Sequence, residues 1–307
     1  MKLKKLITNL EKLIPSNNRT ITVRHDAGFF SCCSKMFKSI IMHYNEFGFF
    51  PNVNTAHLWN LYKDSGDKDI LNYFFKKYDY KKEEKVLNKN TKLYLTSEKD
   101  EDQFSDYAKL NYVHINEVVP RYFTLSEYAN KLKEEIIKTS GIDTGKTLAV
   151  YYRGQDKSLE TNVPKYEELE LKVREIIMKN SFDSIFVQSD EREFIEYMKG
   201  KFDSVFSLEE IFKPNKQEEP TSIPLLIPDG SRKYQASIFL ASIKIVSECR
   251  HVVLTSGNVG MWICMLRGNA QNVHQYLNPK DEIYGVKREL YARRDSFWID
   301  TTNAVID

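Results

Sequence analysis

From Gly141 onward the sequence keeps one rhythm, and that rhythm limits the fold more than any single residue does. "TLAVYY" reads as a strand, "PKYEELELKVREIIMKN" as a helix, "DSIFVQ" as a strand, "EREFIEYMKGKF" as a helix and "DSVFS" as a short strand. The loop "KPNKQEEPTSIPLLIPDGSRK" leads to a long helix, "YQASIFLASIKIVSEC"; "HVVLTS" is then a strand, "NVGMWICMLRG" a helix and "QNVHQY" a final strand. Strands alternating with helices of this length imply βαβ units and a parallel sheet. Right-handed crossovers then bring every strand C-terminus to one edge, where open α/β sheets bind ligands.

Residues 141–307 are therefore expected to form a Rossmann-like lobe, and residues 1–140 a less regular α/β lobe, with the boundary near Ser140. A chain of 307 residues has room for two domains of ordinary size. In the first half "TITVRHD" reads as a strand ending at His25 and Asp26, followed by the loop "AGFFSCC" and the helical stretch "SKMFKSIIMHYNEFG". "FFPNVNT" reads as a second strand. "DILNYFFKKYDY" and "YANKLKEEIIKTSG" have helical periodicity, and Gly141 ends the latter where a left-handed cap belongs. "YDYKKEEKVLNKN" and "TSEKDEDQFSDY" read as solvated loops.

The 45 basic and 43 acidic side chains nearly balance, which argues against a dedicated nucleic-acid binder. Cys32, Cys33, Cys249 and Cys264 show no CxxC or zinc-like spacing and read as buried thiols of a reducing compartment. "MKLKKLITNLEKLIP" is too interrupted by charge for a signal peptide, and no apolar run is long enough to span a membrane. The expected location is cytoplasmic. Leu3, Leu6, Ile7, Leu10 and Leu13 fall near one face of an amphipathic helix; it can make peripheral membrane contact, but docking on its own domain is the commoner fate.

Three polar groups fall at strand C-termini of the second lobe: "RGQDK" after the first strand, Ser189, Asp190 and Glu191 after the second, and Thr255, Ser256, Gly257 and Asn258 after a later one. The last group opens a helix, so its amides and hydroxyls can hold a phosphate against the helix dipole. Arg153 adds a bidentate, permanently charged partner. Asp190 has the competing role of helix N-cap, as does the Thr-Ser-Gly-Asn turn. Convergence on one edge favours an anion site, because separate caps do not require it.

Two motifs do not survive their context. "GIDTGKT" has three residues between its glycines and precedes a strand, whereas a phosphate loop has four and follows one; it reads as a helix cap and turn. "DED" at residues 100–102 lies in a charged stretch and reads as a solvated face rather than a metal site. His25, beside Asp26 at a strand end, is the one histidine with an address suited to function, and a hydrogen-bonded structural role competes there.

"YYRGQDK" resembles the HxRRxDK-type motif of the α1,6- and protein O-fucosyltransferase superfamily, which includes nodulation-factor fucosyltransferases. "IFVQSDEREF" is similar to that family's strand ending in a Ser/Thr-Asp-Asp/Glu element. "SIFLASIKIVSECRHVVLTSGNVG" resembles its late helix and small-residue phosphate loop. "GFFSCCSKMFKSIIMHYNEFGFFPNV" resembles its N-terminal glycine loop and helix. In this sequence Tyr151 stands for the motif's histidine, Gly154 for its second arginine, and Ser242 for an aspartate of the late helix.

The resemblance implies a GT-B-like fold, two Rossmann-like lobes enclosing a cleft, and a metal-independent inverting glycosyltransferase without a cofactor. The donor it implies is a nucleotide sugar, GDP-fucose above all, and the acceptor a glycan or glycoprotein hydroxyl. It places Gly28, Phe29, Tyr151, Arg153, Lys157, Ser189, Asp190, Thr255, Ser256, Gly257 and Asn258 at the donor, with His25 and Asp26 on the acceptor side. An inverting transfer needs a carboxylate base. Glu160 lies near the family's base position, with Asp156 and Asp26 as rivals. Two other readings stay open: a non-catalytic sugar-nucleotide or glycan-binding module, and a hydrolase or other nucleotide enzyme on the same architecture.

Overall fold

The structure, a computed structural model, describes residues 19–79, 91–95, 103–155, 157, 161, 163–209, 211, 226–277 and 297–301. The N-terminal amphipathic stretch, the acidic triplet at 100–102, Asp156 and Glu160 lie outside these residues.

The second half is a six-stranded sheet built as the rhythm predicts. Its strands are β3 (Thr147–Tyr152), β4 (Ser184–Ser189), β5 (Val205–Phe206), β6 (His251–Thr255), β7 (Val273–Leu277) and β8 (Phe297–Asp300), in the spatial order β5-β4-β3-β6-β7-β8. All pairings are parallel except that of β7 with β8. The edge strand β8 lies past the last strand expected from the sequence. Four apolar or mixed residues at the far end of a polar segment carry no period of their own, and pairing with β7 decides their conformation.

Every residue of β3, β6 and β7 is buried, as in parallel strands covered on both faces. Alternation sorts the two faces. Ala149, Tyr151, Phe186, Val252 and Leu254 enter one apolar cluster, together with residues of α1 (Phe29–Phe47), α7 (Arg232–Glu248) and α8 (Asn258–Arg267). Leu148, Val150, Tyr152, Ile185, Val187 and Val253 enter the other, together with residues of α5 (Tyr166–Lys179) and α6 (Arg192–Lys201).

In the first half, β1 (Thr20–Arg24) and β2 (Asn52–His57) pair in parallel, and α1 connects them as a βαβ unit. The helix begins at Phe29, inside the expected "AGFFSCC" loop, because Phe29, Phe30, Cys32 and Cys33 are apolar and all buried. Among the described residues of "DILNYFFKKYDY" one turn is helical, α2 (Leu71–Phe74); Phe75 bridges to Leu125 instead. Helix α3 (Tyr112–Tyr122) was hidden from the pattern by Pro120 near its end. Helix α4 (Glu127–Ser140) is capped by the Ser126 hydroxyl, which accepts from the Ala129 amide at 3.1 Å, and ends at Gly141 with φ 68°. The Gly141–Thr147 stretch is thus a helix cap and turn entering β3, as its sequence suggests.

One apolar cluster runs through both halves. Trp262 on α8 is its hub, with ring centroids 5.9 Å from Phe30, 6.2 Å from Phe37 and 4.6 Å from Phe123. All four cysteines are buried free thiols. Among the described residues, no helix is long and apolar enough to cross a membrane.

Candidate active site

The chain runs β3, β4, β5 outward on one side of β3 and returns to β6 on the other. The topological switch point therefore lies between the C-termini of β3 and β6, where ligands of open α/β sheets bind. Register brings the three predicted segments level there. Tyr152 pairs with Ser189 and Tyr151 with Leu254, so Arg153 leaves the sheet beside Asp190 on one flank and next to Ser256 on the other.

Arg153 and Asp190 form an ion pair at 3.6 Å (Nε to Oδ2), with the guanidinium side chain 31% exposed and the carboxylate only 10%. At that separation the contact is coulombic rather than a hydrogen bond. The other Asp190 oxygen accepts from the Gly154 amide at 3.0 Å, tying the tip of β3 to that of β4. Asp190 does not cap α6: the helix begins one residue later than a cap at Asp190 requires, with Glu191 at the N-cap position. The Ser189 hydroxyl accepts from the Glu191 amide at 2.9 Å and holds this turn, so Ser189 is buried in a structural bond.

Lys157 is buried, and its ammonium points to the turn that opens α8. Nζ donates to Oε1 of Gln103 at 2.9 Å and lies 4.8 Å from the Phe104 ring centroid. The same Gln103 oxygen accepts from the Asn258 amide at 2.9 Å and from Asn258 Nδ2 at 3.0 Å. The main-chain oxygen of Gln103 accepts from the Gly257 amide at 3.0 Å. Gly257 itself has φ 151°, and a Cβ there would stand 3.2 Å from Lys157 Cε, so the close approach of lysine and turn needs glycine. The amides expected to face a phosphate thus meet carbonyl oxygens of Gln103. Ser256 is likewise engaged, donating to the Tyr276 carbonyl at 3.1 Å and accepting from Gln275 at 2.9 Å. Thr255 is buried, and among the described residues its hydroxyl has no hydrogen-bond partner.

On the first-lobe side, the Phe29 amide donates to the Tyr62 hydroxyl at 2.8 Å. Burial raises the Tyr62 pKa, and the Phe29 amide and the Arg153 charge partly offset it, which places Tyr62 within the field of Arg153. The Phe29 ring is buried among Phe30, Trp59, Tyr62 and Phe74. Gly28 has open space around a would-be Cβ and negative φ, so neither crowding nor conformation demands glycine there. His25 Nε2 is 2.9 Å from the Ser31 hydroxyl, with its pKa lowered by burial and then by Lys35, while Asp26 is exposed. Tyr151 is buried in the sheet. Ser242 donates to the Phe239 carbonyl at 2.7 Å inside α7, buried among apolar neighbours, and is unsuited to reading a base.

Sequence reasoning missed Gln103 and understated Glu191. Gln103 sits in a stretch whose charge suggested a solvated loop; Phe104 and Tyr107, both buried, were the contrary signal. Glu191 is 1% exposed, accepts from the Tyr166 hydroxyl at 2.5 Å, and lies against Gly154. Among the described residues, no group of three or more His, Cys, Asp or Glu side chains is placed to hold a metal ion.

No protein-family model and no curated protein matches the chain. It is similar in fold to solved structures of NodZ α-1,6-fucosyltransferase. One, soaked with GDP-fucose, aligns at TM-score 0.40 and 11% identity over 63% of this chain and 55% of that one, a little over half its length. A second, co-crystallised with GDP, aligns at TM-score 0.37 and 10% identity over 60% and 51%. A structure of NodZ from Bradyrhizobium aligns at TM-score 0.46 and 9% identity over 92% and 99%.

Proposed function

We propose that the chain is a glycosyltransferase that moves a sugar from a nucleoside diphosphate, GDP-fucose in the most specific form of the proposal, to a glycan or protein hydroxyl, without a metal or other cofactor. The carrying observation is the convergence at the β3/β6 switch point: Arg153 on one strand tip, and buried Lys157 held against the first amides of α8. Lys157 Nζ and the Asn258 amide already share an oxygen acceptor, the kind of group a phosphoryl oxygen offers.

As the glycosidic bond breaks, negative charge grows on the departing diphosphate. Arg153 and Lys157 are the side chains positioned to take it, and fixed charges in a water-poor site act most strongly at that moment. Inversion requires a carboxylate to take the acceptor proton while the hydroxyl attacks from the opposite face. Glu160, Asp156 and Asp26 are the candidates, with His25 beside Asp26 at the tip of β1 on the acceptor side.

A thermal-shift panel of GDP, UDP, CDP and dTDP tests the donor, because a ligand of the native state raises apparent stability. GDP is expected to stabilise most. Stabilisation by UDP alone would change the base but leave the reaction class; no stabilisation by any of the four would overturn the proposal. Donor hydrolysis with and without an acceptor extract then separates transfer from binding.

A further inference from the structure

We infer that Tyr73, Tyr128 and Tyr234 form a surface platform on which a neutral oligosaccharide stacks. Its part in the reaction, to hold the body of an acceptor whose end reaches the switch point, rests on the proposed transferase reading; the binding itself does not.

The three rings come from separate parts of the chain: Tyr73 from α2, Tyr128 from the first turn of α4 and Tyr234 from the first turn of α7. Tyr73 and Tyr128 meet edge to face, with centroids 5.8 Å apart and planes at 85°. Lys233 Nζ lies 4.8 Å from the Tyr73 centroid, which brings the start of α7 against the same ring. The Tyr128 pKa is raised by burial first, then by Tyr234 and Tyr73, as neighbouring phenols require. All three nevertheless stay exposed, at 40%, 40% and 44%. One exposed aromatic ring needs no explanation, whereas three gathered from three elements make a patch.

Charge and area select the occupant. Lys233 is already matched, by Asp67 at 2.9 Å and Asp64 at 3.8 Å, and Asp64 in turn accepts from the Gly230 and Arg232 amides. The patch therefore offers ring surface rather than the unmatched positive charge that a nucleic acid or an anionic membrane selects. The exposed parts of three tyrosines amount to on the order of 250 Å². A stable protein interface covers about 800 Å² on each partner. A short oligosaccharide fits both limits. A pyranose ring has a C–H face that packs on an aromatic ring and a rim of hydroxyls that meets the polar tip of tyrosine.

The platform also lies toward the strand ends that carry the candidate site. Only Cys249 and Arg250 separate α7 from the start of β6, and the helix packs back on the sheet, so its first turn lies at the end where β6 finishes. Arg232, beside Lys233, donates to the Lys63 carbonyl at 3.4 Å, and Lys63 Nζ donates to the Ala56 carbonyl at 2.6 Å. These contacts join the platform to the tip of β2, which pairs with the tip of β1 just before His25 and Asp26.

The test is calorimetric titration of the full chain, without donor, with cellohexaose, xylohexaose, maltohexaose and, separately, GDP. It compares the unaltered protein with Tyr128→Ala, Tyr234→Ala and Tyr128→Phe. At least one of the three oligosaccharides should bind the unaltered chain, and each alanine change should weaken that binding by about fivefold to tenfold. Tyr128→Phe keeps the ring and should bind within about twofold of the unaltered chain. Failure of all three oligosaccharides to bind, or equal binding by folded alanine variants, would overturn the inference. If the alanine variants do not fold, nuclear magnetic resonance of the unaltered chain with isotope-labelled tyrosine rings decides. Resonances of Tyr73, Tyr128 and Tyr234 that move on titration uphold the platform, and unmoved ones overturn it. A dimer that Tyr128→Ala splits would make a second copy the occupant and overturn it too. GDP bound with no oligosaccharide bound defeats the platform and spares the donor reading; oligosaccharide bound at the three tyrosines with no GDP bound does the reverse.

Discussion

The carboxylate of Glu191 occupies the space that a side chain on Gly154 would need: a Cβ at 154 would stand 2.1 Å from Glu191 Oε1. The glutamate cannot simply yield, because it is 1% exposed and bonded to the Tyr166 hydroxyl. Gly154 and Glu191 are therefore a matched pair, and the pair decides that no arginine follows Arg153. Gly154→Ala should destabilise the fold by about 1–3 kcal/mol through overpacking. Glu191→Ala in the same chain should recover about 1 kcal/mol or more of that loss by coupling. Urea unfolding of both single variants and the double variant measures it, and strictly additive effects would show the two residues to be independent.

Acid should loosen the sheet from its β7/β8 side. Asp300 accepts from His274 Nδ1 at 2.7 Å, which leaves His274 Nε2 as the acceptor for His251 Nδ1 at 3.3 Å. Lys172 closes the chain on Asp300 at 3.0 Å and also pairs with Glu175, while Arg250 and Arg267 add positive potential at His251. Burial, then His274, holds the His251 pKa down at about 4, and burial lowers that of His274 despite Asp300. A histidine whose folded pKa is depressed stabilises the fold above its unfolded value near 6.5 and loses that contribution as pH falls toward the folded value. The melting temperature should drop by several degrees between pH 7 and pH 5, and His251→Gln should flatten that slope. A slope unchanged in His251→Gln would assign the acid sensitivity elsewhere.

The sheet was legible because its evidence is repeated: apolar residues predominate in each buried strand, and each intervening helix has its own period. Arg153, Lys157 and the turn at Ser256–Asn258 were legible for the same reason, since strand ends of a parallel sheet must share an edge. Glu191 and Gln103 were not, because their roles depend on what lies across from them. Nothing near Gln103 in sequence announces Lys157 or Asn258, more than fifty residues away. Phe29 departs in the opposite direction: its place after Gly28 suggested a loop, whereas burial among aromatic rings makes it the first residue of a helix and part of the core.

Transfer should survive excess EDTA. In the proposed reaction, side-chain cations rather than a metal ion meet the diphosphate, and Arg153 and Lys157 flank the switch point from which it would leave. Turnover measured with and without chelator checks this. Complete loss on chelation, restored by manganese or magnesium, would place a metal in the reaction and remove the two side chains from that role.

Arg153 is the sharpest test of the site. Its structural role, an ion pair with Asp190 at 3.6 Å, is that of a partly exposed pair, worth about 0–1 kcal/mol. If the arginine does no more than hold the turn, Arg153→Ala should lower stability slightly and leave turnover near normal. The hydrogen bond from the Gly154 amide to Asp190 persists in that variant and keeps the two strand tips together. As the charge that meets the leaving diphosphate, Arg153 should instead cost on the order of a hundred- to a thousand-fold in turnover when removed. Arg153→Lys should restore only part of this, because an ammonium keeps the charge but not the two-pronged geometry. Steady-state turnover and GDP affinity of both variants, with circular dichroism to establish folding, distinguish the roles. A folded alanine variant with near-normal turnover would reduce Arg153 to a turn residue and remove the main support for catalysis at this edge of the sheet.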